Sequence, residues 1–104
     1  MNSRNKGARG EREWAKVLTD AGFPAIRGVQ HSGGPDSPDV ICNKLPFHWE
    51  VKRVQRLVLE VAMAQAINDA GKKNIPAVAH RKNRQDWLVT MRASDLLKLL
   101  RRIY

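Results

Sequence analysis

The segment Phe47 to Lys52 constrains the fold of this chain most strongly, because its apolar and polar residues alternate strictly. Phe47, Trp49 and Val51 share one side of an extended backbone, and the polar residues between them share the other. This alternation predicts a strand whose apolar face is covered by a core. Glu50 and Lys52 then project from the same polar face, with Cα atoms roughly 6.5–7 Å apart.

The spacing of apolar residues elsewhere predicts the element order α-β-β-β-α-β-β-α. Helices are expected from about Ala8 to Ala21, from Leu57 to Ala70, and after Ser94, which we expect to cap a last helix whose leucine-rich stripe belongs to the core. Further extended segments are predicted at four places: Phe23 to Gly28, Val40 to Cys42, Ile75 to His80 and Asp86 to Met91. These elements predict an α/β fold with a mixed central sheet flanked by helices, in one domain spanning residues 1–104.

The charge of the chain indicates a polyanionic partner. Nineteen Lys and Arg against ten Asp and Glu give a formal charge of +9 and make nucleic acid the leading candidate.

The apolar runs are shorter than the roughly 20 residues that a membrane-spanning helix needs, and we find no signal-peptide core, so we expect a cytoplasmic protein. The single cysteine, Cys42, cannot form an internal disulfide, and a chain this small would gain stability as a dimer.

Two Pro-Asp pairs precede the alternating strand. Asp36 lies in a glycine- and proline-containing loop, where an aspartate commonly bonds to nearby backbone. Asp39 opens an apolar strand, where an acid is out of place without a partner. The short hairpin from Asp39 to Glu50 would bring both carboxylates to the same face. We therefore favour Asp39 over Asp36 as the functional residue.

The first helix adds a further carboxylate. Glu11 lies on the apolar stripe with Trp14 and Leu18, although an acid near a helix N-terminus can also simply complement the helix dipole. Several carboxylates in one small site repel each other unless a cation lies between them, and hard oxygen ligands favour Mg²⁺ or Mn²⁺. Such an ion beside Lys52 predicts hydrolysis of a phosphodiester.

Pro38-Asp39 followed by Glu50-Val51-Lys52 resembles the PD-(D/E)XK nuclease motif. The segments "NKGARGERE", "GFPAIR", "SGG" and "IPAVAHR…DWLV" are similar, in order and spacing, to the archaeal-type Holliday-junction resolvases, and the chain also resembles small proteins of Firmicutes phages in this superfamily. The resemblance implies a restriction-endonuclease-like fold and a phage- or prophage-encoded homodimer that nicks four-way DNA junctions. The insertion Pro35-Asp36-Ser37 and the short C-terminal region depart from the resolvase pattern, which affects the expected dimer and junction preference.

The resemblance also implies roles for individual residues. Glu11, Asp39 and Glu50 match the acidic metal-site positions, Lys52 matches the catalytic lysine, and the backbone carbonyl of Val51 is a further possible ligand. Arg12, Arg27 and Ser32 fall where the family contacts DNA or organises the site, and Gln65 matches a helix glutamine that reaches the site in several relatives.

Further basic residues are candidates for contacting the DNA backbone: Lys6, Arg9, Arg53, Arg56, Arg81, Lys82 and Arg84. Each of them taken singly can also be an ordinary solvated surface residue. Three functions stay open on the sequence alone. They are a junction resolvase, a nuclease that processes flaps, forks or linear DNA, and a basic DNA-binding module without catalysis.

Overall fold

The structure is a computed structural model that describes residues 3–28 and 38–104. Its elements follow one another in the predicted order. They are α1 (Ser3–Asp20), β1 (Ile26–Arg27), β2 (Val40–Ile41), β3 (Phe47–Arg53), α2 (Leu59–Ala70), β4 (Ile75–Arg81), β5 (Leu88–Met91) and α3 (Ala93–Ile103). The predicted α/β class and element order are confirmed.

The five strands form one mixed sheet in the order β1-β2-β3-β4-β5. β3 and β4 are parallel and are joined through α2, whereas the other neighbouring strands are antiparallel. The register places Val40 opposite Trp49 and Glu50 opposite Val78. The long strand β3 therefore lies at the centre of the sheet.

Each face of the sheet has its own apolar cluster. On one face α1 contributes Trp14, which packs edge-to-face against Trp49 of β3 with ring centroids 5.0 Å apart. On the other face α2 places Ala62 and Ala66 against Val78 of β4. Small side chains let α2 approach the sheet closely, so the polar face of β3 is partly covered as well.

Three details differ from the sequence predictions. α1 begins at Ser3, although the first seven residues had no apolar spacing to indicate a helix. α3 begins at Ala93, so Ser94 lies inside it, and Arg92 precedes the helix without a side-chain capping bond. The leucine stripe of α3 was expected in the core, yet Leu97 is 51% exposed, because α3 follows an edge strand and packs loosely on the sheet.

The pairing of β1 with β2 continues by one more hydrogen bond, next to residues 29–37. The backbone N–H of Gly28 donates to the carbonyl oxygen of Asp39 at 2.8 Å. A Cβ atom at Gly28 would collide with the Pro38 carbonyl oxygen, so only glycine allows the two segments to approach this closely. Asp39 is therefore fixed at the end of β2 by backbone contacts. In the part of the chain that the structure describes, no helix is both long and apolar enough to cross a membrane.

Candidate functional site

The site forms where the end of β2 meets the middle of β3. Because Val40 pairs with Trp49 in an antiparallel register, Asp39 falls opposite Glu50 and on the same face of the sheet. Asp39 is 9% exposed and Glu50 is 4% exposed, so two acids are buried side by side. The Asp39 Oδ2 atom accepts a hydrogen bond of 2.8 Å from the backbone N–H of Val51, which fixes its carboxyl group.

The electrostatics of Glu50 follow from this placement. Burial, and then the neighbouring charge of Asp39, raise the pKa of Glu50 from 4.5 to about 7, although Lys52 lowers it. The Nζ atom of Lys52 lies 3.4 Å from Glu50 Oε1, and its side chain is 32% exposed. Glu50 therefore loses its proton near neutral pH, beside a lysine side chain that solvent can reach.

The carboxylate of Glu11 reaches these residues from α1, which covers the opposite face of the sheet. Its Oε1 atom accepts a hydrogen bond of 2.9 Å from Arg27 Nε. Burial and the charge of Asp39 raise the pKa of Glu11, whereas Arg27 and Arg12 lower it. The structure therefore brings Asp39, Glu50 and Lys52 together, while Glu11 lies close enough to interact with Asp39 but is engaged with Arg27.

The backbone N–H and carbonyl groups of Val51 also face the carboxyl group of Asp39. The N–H and C=O groups of one strand residue point to the same side of the strand. Since the Val51 N–H donates to Asp39, its carbonyl oxygen also points toward Asp39, beyond the end of β2. An oxygen acceptor is thereby available next to the two carboxyl groups.

This donor set suits a hard divalent cation. Two buried carboxyl groups and one backbone carbonyl supply oxygen ligands, and a cation between Asp39 and Glu50 would replace the proton that now relieves their repulsion. Glu11 is a further candidate ligand, although its Oε1 atom is engaged with Arg27. Among residues 3–28 and 38–104, no three His, Cys, Asp or Glu side chains already surround a common point in a way that could hold a metal ion.

Four of the seven arginines expected to bind DNA are engaged in ion pairs. Glu13 of α1 accepts from Arg53 at 2.7 Å and from Arg81 at 3.4 Å, and lies 3.5 Å from Arg9. Periodicity could not identify this cluster, because its members come from α1, β3 and β4. Arg53 is only 15% exposed, so its main contact is with Glu13.

The other predicted DNA-contacting residues lie on the surface, near the site or outside the described residues. Of the predicted cations not yet described, four are exposed: Arg12, Arg56, Lys82 and Arg84. The exposed Gln65 lines a groove of about 290 Å³ that also contains Lys52 and Arg56, so it lies near the site rather than in it. Ser32, Asp36 and the side chain of Lys6 lie outside the described residues.

Comparisons with known proteins agree with this architecture. The sequence matches, over residues 2–103, the family described as "phage putative PDDEXK endonuclease". The structure is similar to that of Hjc from Archaeoglobus fulgidus, described as a Holliday junction resolvase from an archaeal hyperthermophile. The identity is 29% and the TM-score 0.61, over 80% of this chain and 73% of that chain. None of the curated proteins that were compared matches the chain.

Proposed function

The chain belongs to the phage PDDEXK endonuclease family, and from this premise we propose that it is a Mg²⁺-dependent DNA endonuclease that resolves Holliday junctions. The observation that carries the proposal is the burial of Asp39 and Glu50 side by side, next to the solvent-accessible Lys52. The similarity to Hjc, at 29% identity, supports a four-way junction as the substrate.

The residues of this site can divide the chemistry of phosphodiester hydrolysis among them. Asp39, Glu50 and the Val51 carbonyl would hold Mg²⁺ or Mn²⁺, which when bound polarises a phosphate oxygen and lowers the pKa of a water. Lys52 has three N–H donors, of which one faces Glu50 Oε1, so the others can offset charge on the scissile phosphate. Because the pKa of Glu50 is about 7, its carboxyl group loses its proton near neutral pH and can then bind a cation.

Glu11 and Arg27 have paired roles in this proposal. Their ion pair is partly exposed, with the Arg27 side chain 43% accessible, so breaking it is inexpensive. DNA phosphate would take Arg27, and the released Glu11 carboxylate would turn toward the metal site. Substrate binding thereby completes the ligand set.

The proposed partners follow from the surface. Arg12, Arg56, Lys82 and Arg84 are exposed and can contact DNA phosphates around the site, with Lys6, Arg9 and Ser32 as further proposed contacts. We place this activity in one nuclease domain spanning residues 1–104, in the cytoplasm of a bacterial host.

A four-way junction offers two equivalent strands, and a homodimer would present one site to each. β5 is an edge strand, and α3 follows it with apolar side chains exposed to solvent. We define the α3–β5 surface by its exposed apolar residues: Leu88, Val89, Leu96, Leu97, Leu100 and Ile103. Exposed apolar side chains of this kind suit burial against a second copy.

Cleavage of labelled four-way junctions, with and without Mg²⁺, tests the proposal. We expect Asp39→Asn and Lys52→Ala to slow cleavage by at least about 100-fold. The matched control is Lys16→Ala, which removes an exposed lysine paired only with the exposed Asp20 among the described residues. Junctions that stay intact with wild-type protein and Mg²⁺ would refute the proposal.

A second nuclease function is processing of flaps, forks or linear duplex with the same site. Equal rates on linear duplex and on junctions would favour it over junction resolution. A DNA-binding module without catalysis would instead bind these substrates and cut none, and it would release no heat on titration with Mn²⁺.

A further inference from the structure

A basic region lies away from the proposed metal site, in a groove of about 470 Å³ between the α2–β4 turn and α3. Its walls carry Lys72 and Lys73 on one side and Lys98 and Arg102 on the other, and these four residues define the basic groove. All four are exposed. Within residues 3–28 and 38–104, none of the four takes part in an ion pair.

Among the described residues that line the groove, Asp95 is the one carboxylate, and it does not neutralise the groove. Asp95 is 5% exposed and accepts a hydrogen bond from Arg92 Nε at 2.9 Å, so its charge is already balanced by a fifth cation. This differs from the arginines around Glu13, where an arriving phosphate must compete with a carboxylate. Four uncompensated cations in a groove form a favourable site for an extended polyanion.

The basic groove continues toward the proposed cleavage site. A neighbouring cavity of about 290 Å³ shares Lys72 and Lys73 with it and reaches Pro38, the residue before Asp39. Along β4, Ile75 in the groove lies three residues from Val78, which is in register with Glu50. At about 3.3 Å per strand residue this distance is about 10 Å, or roughly three nucleotides of duplex at 3.4 Å each.

From this arrangement we propose that the basic groove binds the phosphate backbone of the duplex that flanks the cleaved bond, beginning about three nucleotides away. This inference rests on the proposed function. The groove supplies affinity and not chemistry, so its loss should weaken binding on every DNA sequence. α3 then has two separate roles, since Lys98 and Arg102 lie on one side of the helix and the apolar residues of the α3–β5 surface lie on another.

Binding of duplex DNA without divalent metal tests the inference. The variant Lys98→Gln/Arg102→Gln and the variant Lys72→Gln/Lys73→Gln each remove two charges from the basic groove. The control Lys44→Gln/Arg101→Gln removes two exposed charges elsewhere. If each groove residue contacts one phosphate, each groove variant should lower the slope of log K against log salt by about 1.8, and the control by much less.

The outcomes separate this inference from the proposed function. Wild-type protein that cleaves junctions while groove and control variants show equal salt slopes would overturn the inference alone. Wild-type protein that neither binds nor cleaves DNA would overturn both. Circular dichroism of each variant establishes that it is folded, and the two groove pairs act as independent replicates should one of them unfold.

Discussion

At the scale of single residues, the molecule depends on two acids that share a buried face. A strand alternation and a short hairpin were enough to predict that Asp39 and Glu50 would meet, because both are rules of backbone geometry. The ion pair of Glu11 with Arg27 could not be predicted in the same way. It depends on how α1 crosses the sheet, which sequence spacing does not determine.

Glu50 should make the stability of the protein fall as pH rises. Its pKa is about 7 in the folded state and near 4.5 when exposed, so between these values the folded protein holds a proton that the unfolded chain has lost. The free energy of unfolding therefore decreases from about pH 4.5 to about pH 7 and is level above. Glu50→Gln should raise it at about pH 8 by roughly 1–3 kcal/mol and change it little near pH 4.5.

Urea unfolding of both proteins across this pH range measures the effect. The control Glu60→Gln changes an exposed acid at the start of α2 and should leave the pH profile unaltered. A parallel profile for wild type and Glu50→Gln would show that Glu50 is not coupled to Asp39 as described.

Binding of a divalent metal ion should offset the destabilisation that the two buried acids cause. We expect Mg²⁺ or Mn²⁺ to raise the melting temperature of the wild-type protein above pH 7, since a ligand that binds only the folded state stabilises it. Asp39→Asn should abolish this increase, while Asp20→Asn, at an exposed pair with Lys16, should keep it. An equal response of all three proteins would place the metal elsewhere.

At the scale of secondary-structure elements, α1 is joined to the sheet by charge as well as by its tryptophan. Glu13 on α1 binds Arg53 of β3 and Arg81 of β4, so one carboxylate joins three elements. The sequence predicted each of these elements but not the contact that Glu13 makes between them. This contact could not be predicted because it depends on the strand order, which brings β3 next to β4.

Removing the charge of Glu13 should destabilise the fold. Glu13→Gln leaves the half-buried Arg53 and Arg81 without their carboxylate, which should lower the free energy of unfolding by about 1–3 kcal/mol. Asp20→Asn, at an exposed pair, should cost less than about 0.5 kcal/mol. Chemical denaturation compares the two, and equal losses would contradict a structural role for Glu13.

Two glycines of α1 should respond oppositely to alanine. A Cβ at Gly10 would lie 2.9 Å from the Arg53 Cβ atom, whereas a Cβ at Gly7 meets nothing within 4 Å. Gly7→Ala should therefore stabilise the helix by about 0.5–1 kcal/mol. Gly10→Ala should destabilise the protein by about 1–2 kcal/mol, because α1 must move away from β3. Unfolding midpoints of the two variants decide the matter, and a stabilised Gly10→Ala protein would mean that α1 packs less closely.

At the scale of the whole molecule, the cations of the basic groove and the exposed apolar residues of the α3–β5 surface lie on different parts of the surface. The excess of nine positive charges was evident from composition, but its location was not. Some arginines near the site are neutralised by Glu11 and Glu13, while the lysines of the basic groove have no such partner among the described residues. The leucines of α3 were expected in the core because amphipathic spacing indicates an apolar face without indicating what covers it.

The α3–β5 surface should hold two copies together. We expect the native protein to behave in light scattering as a particle of about twice its 11.8 kDa mass. Leu97→Lys/Ile103→Lys should halve that mass without unfolding the chain, because both residues are more than half exposed in the single copy. The control Val58→Lys/Val61→Lys changes residues of similar exposure before and in α2. A native protein of single-chain mass would rule out this dimer.

The contact between Gly28 and the Pro38–Asp39 backbone has a consequence for how such proteins diversify. Because Gly28 and Asp39 are bonded to each other, the number of residues between them can change while Asp39 stays where it is. Doubling such an excursion costs only about 0.6 kcal/mol of closure entropy. Relatives that differ in the length of this segment could therefore keep the aspartate in the same position beside Glu50.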